Sequence, residues 1–243
     1  MSAEPRPAFY ALAPGGWRDY VTLIHPPYTL WHLSYVAIGA ALGPHLDVSR
    51  LFVSLAAFFL ALGIGAHALD ELNGRPLRTR ISERTLVTLA AVSIGGSVAI
   101  GVYACFAYTA WLAPFVAAGA FIVCAYNLEL FGGSFHSDTW FALAWGSFPL
   151  LVAYLAEAER ISFEALIAAA FAAFLSLAQR RLSTQVRTVR RRVAAVSGTV
   201  ELRGGGQEPV TAEMLVAAPE AALRALTLAV VSLAAALLVL RLN

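Results

Sequence analysis

Seven stretches of apolar and small residues, each close to the length of a membrane-spanning helix, leave this chain little to fold into except a helical bundle in a bilayer. They run roughly Tyr28–Leu46, Leu51–Leu69, Thr85–Tyr108, Ala110–Leu128, Trp140–Ala156, Ile161–Ala178 and Pro219–Leu240. Only 13% of the 243 residues are charged, against roughly 25% in an ordinary soluble domain. Mean hydropathy is +0.71. An all-α, integral membrane fold of about seven transmembrane helices is therefore expected, as one membrane domain over residues 1–243. The first twenty residues hold Arg6, Pro7, Pro14, Arg18 and Asp19 and no apolar core, so no secretory signal is expected there. Cys105 and Cys124 fall inside expected helices and read as packing residues.

Charge sets the expected orientation. All seventeen basic residues are arginine. With the N-terminus cytoplasmic, fourteen of the seventeen lie in inner segments, leaving Arg50, Arg160 and Arg241 outside. This places the ends of spans two, four and six on the cytoplasmic side, together with both motif loops described next. Residues 179–218 form the only substantial extramembrane piece. Leu182, Val186, Val189, Val193, Val196 and Val200 repeat every three or four residues opposite arginines, which predicts an amphipathic helix lying in the headgroup layer. Gly204-Gly205-Gly206 ends it, Thr211 caps a short helix, and Pro219 opens the last span.

Three polar constellations interrupt the apolar background. His67, Asp70 and Glu71 share one helix face at the end of span two, where ionisable groups are costly and point to function. Carboxylates one turn apart can share a hard cation such as Mg²⁺, with His67 as a third ligand or a phosphate donor. Pairing of both carboxylates with Arg75 or Arg78 at the interface is the plainer account. The second constellation is Tyr126, Asn127 and Glu129, followed by His136 and Asp138; an ordinary polar loop would look the same. The third is Arg180, Arg181, Ser183 and Arg187, an anion-binding stripe or, from Arg187 onward, a positive-inside anchor on acidic lipids. His25 and His32 flank the start of span one and read as an amphipathic belt.

These stretches together resemble the UbiA superfamily of intramembrane prenyltransferases. The likeness covers roughly residues 20–190. It is carried by His25-Pro26-Pro27-Tyr28, by Asp70-Glu71-Leu72-Asn73-Gly74-Arg75-Pro76-Leu77 through Ile81-Ser82, and by Tyr126-Asn127 followed by Gly146-Ser147-Phe148-Pro149-Leu150-Leu151. The four places of the family's first motif, Asn-Asp-x-x-Asp-x-x-x-Asp, here read Ala66, His67, Asp70 and Gly74. Those of the second read Gln179, Arg180, Ser183 and Arg187, without a carboxylate. The family usually has nine spans.

The resemblance implies a six-helix core over about residues 20–178, followed by the arginine-rich segment 179–218 and a last helix at 219–241. It implies transfer of a prenyl group from an isoprenyl diphosphate to a lipophilic acceptor. Asp70 and Glu71 would hold Mg²⁺ with His67, and Asn127 and Tyr126 would face the developing cation. His67, Asn73, Arg75, Arg180, Arg181 and Glu129 would contact substrate. Two other classes stay open. His67, Asp70, Glu71, Glu129 and His136 also suit iron or zinc in another metal-dependent membrane enzyme. A non-enzymatic protein that binds lipid or a partner through its arginine-rich segment is the third. Membrane lipids are expected partners, nucleic acid is not, and homo-oligomerisation is open.

Overall fold

The structure, a computed structural model, describes residues 6–243. Eight helices account for most of the chain: α1 Trp17–Leu23, α2 Pro26–Ala41, α3 Val48–Leu72, α4 Glu83–Ala107, α5 Ala110–Asn127, α6 Asp138–Ala158, α7 Phe163–Arg192 and α8 Ala212–Leu242. Among the described residues six of these, α3 to α8, are long and apolar enough to cross a membrane. The chain is an integral, multi-pass helical membrane protein. Side-chain oxygens cap six helix starts: Asp47 (α3), Ser82 (α4), Thr109 (α5), Ser137 (α6), Ser162 (α7) and Thr211 (α8).

The expected first span differs from the rest. It stops at Ala41 after 16 residues, about 24 Å of helix, short of a full crossing. It is instead the centre of the bundle, packed against α3, α6 and α8. Trp31, Tyr35 and Val36 are wholly buried. The Tyr35 hydroxyl accepts from Trp31 Nε1 at 2.6 Å and from Ser176 Oγ of α7 at 3.1 Å, so the polar atoms at this depth satisfy one another. Gly39 lets α2 touch the backbone of α6 at Leu150.

Two helices carry π-helical turns, Phe59–Ala66 in α3 and Ala142–Ser147 in α6. Such turns redirect side chains and free carbonyls. Pro149, lacking an N–H, cannot bond the carbonyl four residues back, and His32 Nδ1 donates to that Trp145 oxygen at 2.9 Å. Pro219 poses the same problem inside α8. The last helix starts at Ala212 and runs through this proline, because Gln185 Nε2 of α7 donates to the orphaned Leu215 carbonyl at 3.0 Å.

The arginine-rich segment departs most from expectation. α7 does not end near Ala178; it runs on to Arg192 as one helix of 30 residues and packs its outer half on α8. Val186 is buried with Val216 and Leu223, and Arg190 pairs with Glu220. The segment forms no separate amphipathic helix, since the valine face of the stripe has α8 to bury against. Val193 is already extended, and Val200 lies in a small antiparallel hairpin, β1 Thr199–Glu201 and β2 Gln207–Pro209, turned by the triple glycine.

Candidate functional site

One polar cavity of about 550 Å³ opens at the end of the bundle where α3 and α5 finish and α7 extends beyond its apolar half. The end of α3 contributes His67 and Asp70, with Asn73 just after it. α5 and its following loop contribute Tyr126, Asn127, Glu129 and His136. α7 contributes Gln179, Arg180, Ser183, Arg187 and Arg191, which fall on one face at helical spacing. Seven expected site residues thus share one cavity: His67, Asp70, Asn73, Tyr126, Asn127, Glu129 and Arg180.

Three others do not face it. Glu71 is fully buried and turned toward the loop after α3. Its Oε2 accepts from Leu77 N at 2.9 Å, and its Oε1 accepts from Thr79 N at 2.8 Å and Thr79 Oγ1 at 2.9 Å. The carboxylate expected to ligate metal is a template for backbone. Arg75, in the left-handed region at φ 55°, donates to the Thr79 and Ile81 carbonyls and closes the same loop. Arg181 projects outward, 74% exposed, and pairs with Asp138 at 3.0 Å. The helical spacing that brought Glu71 beside Asp70, and Arg181 beside Arg180, says nothing of loop amides or of which neighbour turns inward. Among the described residues no group of three or more His, Cys, Asp or Glu side chains is arranged to hold a metal ion, the expected His67–Asp70–Glu71 set included.

The cavity wall includes residues that sequence reasoning assigned elsewhere. His25 and His32, read as a belt, both line it. His25 caps α2 in the left-handed region at φ 45°, its Nδ1 2.9 Å from the Tyr10 hydroxyl and its ring stacked on His67 at 4.0 Å. Burial, reinforced by the neighbouring His67, Arg191 and Arg187, pushes the His25 pKa well below the usual imidazole value, so this ring is neutral at pH 7. Tyr10 arrives on an N-terminal segment, residues 7–10, that forms part of the cavity wall and is held by Arg191 Nε on the Pro7 carbonyl at 3.2 Å. Burial raises the Tyr10 pKa, so its hydroxyl keeps its proton. Its place could not be read from spacing, because the contact joins segments fifteen residues apart through a turn at Gly15-Gly16.

The histidine tautomers follow from their partners. Nδ1 of His67 faces the Gly63 carbonyl at 3.1 Å, and Nδ1 of His136 faces the Tyr126 carbonyl at 3.0 Å; a carbonyl only accepts, so each Nδ1 carries the proton. His136 Nε2 then accepts from Arg180 Nη2 at 3.3 Å. Asp138 holds Arg180 Nε at 3.3 Å, and the guanidinium rests over Phe141, 5.4 Å from its centre. Tyr126 stacks on His136 and lies tilted against Trp145, both at 4.4 Å. Asn127 is held by the Val123 carbonyl, and Asn73 donates to the Asn127 carbonyl at 3.3 Å.

Among the described residues four buried side-chain atoms lack a hydrogen-bond partner, and three of them belong to residues of this cavity: His25 Nε2, the Tyr126 hydroxyl and Gln179 Oε1. Each such atom costs about 1–3 kcal/mol if left dry, so their clustering marks a place built to receive polar atoms. Behind Trp145, which borders both spaces, a small apolar groove is lined by Phe58, Leu62, Ile94, Phe115 and Phe148.

Comparison with protein-family models, with curated proteins and with solved structures finds no match to this chain. The likeness to the UbiA superfamily rests on the sequence stretches that suggested it.

Proposed function

We propose that this protein is a UbiA-like membrane prenyltransferase. In this reading it transfers the prenyl group of an isoprenyl diphosphate to a lipophilic acceptor within the polar cavity. The observation that carries the reading is the meeting of Arg180, Arg187 and Arg191 with an aromatic wall, Tyr126, Phe141 and Trp145, in one cavity of a membrane bundle. Guanidinium groups match phosphate oxygens in charge and geometry, and aromatic faces stabilise a nearby cation. The apolar groove behind Trp145 offers the chain a dry surface.

The step balances as a substitution. The bond from the allylic carbon to the diphosphate oxygen breaks, and the electron pair leaves with the diphosphate toward the arginines. The acceptor atom bonds to that carbon and gives up its proton, which the released diphosphate accepts. Under this reading the cavity faces the cytoplasm, as the arginine distribution predicts.

The test is binding of farnesyl diphosphate to the purified protein in detergent, followed by calorimetry. Arg180→Ala is expected to weaken binding at least tenfold, about 1.4 kcal/mol. Tyr126→Phe provides a second readout. Removing a buried hydroxyl without a partner should leave the unfolding midpoint unchanged or raise it, while binding or turnover falls. Absence of binding across chain lengths from geranyl to geranylgeranyl would overturn the reading.

A further inference from the structure

We infer that the cavity holds a diphosphate through guanidinium groups and needs no divalent cation to bind it. This deepens the proposal above and rests on it. The UbiA resemblance implies Mg²⁺, and the donor set does not fit that ion. Mg²⁺ takes near-octahedral oxygen at about 2.0–2.1 Å, with one or two carboxylates anchoring it beside substrate phosphates. At the end of α3 both Glu71 oxygens already accept loop donors, three bonds in all. Asp70 is left as the lone carboxylate there. Glu129 stands at the rim, half exposed and 3.9 Å from the His136 imidazole. On α7, at the four places of the family's second acidic motif, the residues are Gln179, Arg180, Ser183 and Arg187.

Positive charge occupies the space that a metal would otherwise fill. Arg180 is fixed by Asp138 and His136, and its guanidinium remains part of the cavity wall. Arg187 donates to Thr184 Oγ1 at 3.1 Å and, among the described residues, makes no ion pair. Arg191 donates one N–H to the Pro7 carbonyl and likewise has no ion pair among the described residues. Two inward guanidiniums without carboxylate partners are costly beside a single Asp70, and a diphosphate supplies the missing negative charge. A divalent cation placed among them would add like charge to like charge. The unpartnered Tyr126 hydroxyl is a further donor to phosphate oxygen.

The experiment titrates the purified full-length protein in detergent with farnesyl diphosphate, once in EDTA and once in millimolar Mg²⁺. The expected dissociation constants agree within about threefold. In EDTA, Arg187→Gln is expected to weaken binding by about tenfold or more, Arg187→Lys by less, and Asp70→Asn is expected to keep or tighten it. Unfolding midpoints of the variants separate loss of binding from loss of fold, and the lysine variant keeps the charge if the glutamine variant is unstable. Binding that appears only with Mg²⁺ and vanishes in Asp70→Asn overturns this inference and leaves the prenyl diphosphate reading standing. Unchanged binding in folded Arg187→Gln overturns it as well. No binding in either medium removes the reading beneath it.

Discussion

Glu71→Gln is expected to lower the thermal unfolding midpoint by about 10 °C and to abolish ligand binding with it. The carboxylate accepts three hydrogen bonds in a fully buried setting. An amide offers one oxygen and turns its NH₂ toward the remaining donors. Bonds to charged groups contribute about 1.5–3 kcal/mol each, and a stranded buried donor costs a comparable amount. A net loss of about 3–5 kcal/mol corresponds to about 10 °C for a chain of this size. The loop that Glu71 organises starts with Asn73, Gly74 and Pro76, which line the cavity, so its collapse removes part of the wall. Differential scanning fluorimetry in detergent gives the answer. A midpoint within about 2 °C of wild type would mean that the loop does not depend on this carboxylate, and a metal-ligand role would regain ground.

Gly39→Ala is expected to be as damaging through packing alone. A methyl at this position would sit 2.1 Å from the Leu150 carbonyl oxygen and 2.9 Å from its carbon, both backbone. Neither can swing aside; α2 and α6 must separate. Overpacking of this kind typically costs about 1–3 kcal/mol; a backbone obstacle that cannot move aside puts this site beyond that range, and the excess outweighs the gain of about 1 kcal/mol in helix propensity from glycine to alanine. We expect a loss of 3 kcal/mol or more, seen as a lowered midpoint and poor recovery of folded protein. Gly95→Ala in α4 is the internal control, because nothing lies within 4 Å of its added methyl; it should be neutral or mildly stabilising. Equal behaviour of the two variants would argue against close contact between α2 and α6.

Hydropathy located the helices α3 to α6 to within a few residues, because lipid-exposed length is a property of local composition. It failed where tertiary contacts decide. α7 runs past Ala178 because polar Gln179 and Ser183 turn into a cavity and Val186 finds α8, so the loss of apolarity does not end the helix. Pro219 fails to start a helix because a glutamine from elsewhere satisfies Leu215. At the site, Asp70, His67 and Arg180 could be singled out from charge at helix ends. Glu71 looked identical by that criterion, and only the amides of the following loop distinguish it. His25 was misassigned because its role depends on a left-handed backbone and on Tyr10, neither of which leaves a periodic trace.

The unbroken length of α7 has a mechanical consequence. Thirty residues of helix make a rod of about 45 Å. Its inner half is clamped by Ser176 on Tyr35 and by Ser147 on the Ala169 carbonyl, and its outer half carries Arg180, Arg187 and Arg191. Because no hinge separates the halves, a tilt of about ten degrees about the clamp shifts Arg191 by about 4 Å, comparable to the reach of a hydrogen bond. Bilayer thickness, which sets the tilt of such rods, thereby acts on the distance between these guanidinium groups and the cavity wall built by α3 and α5.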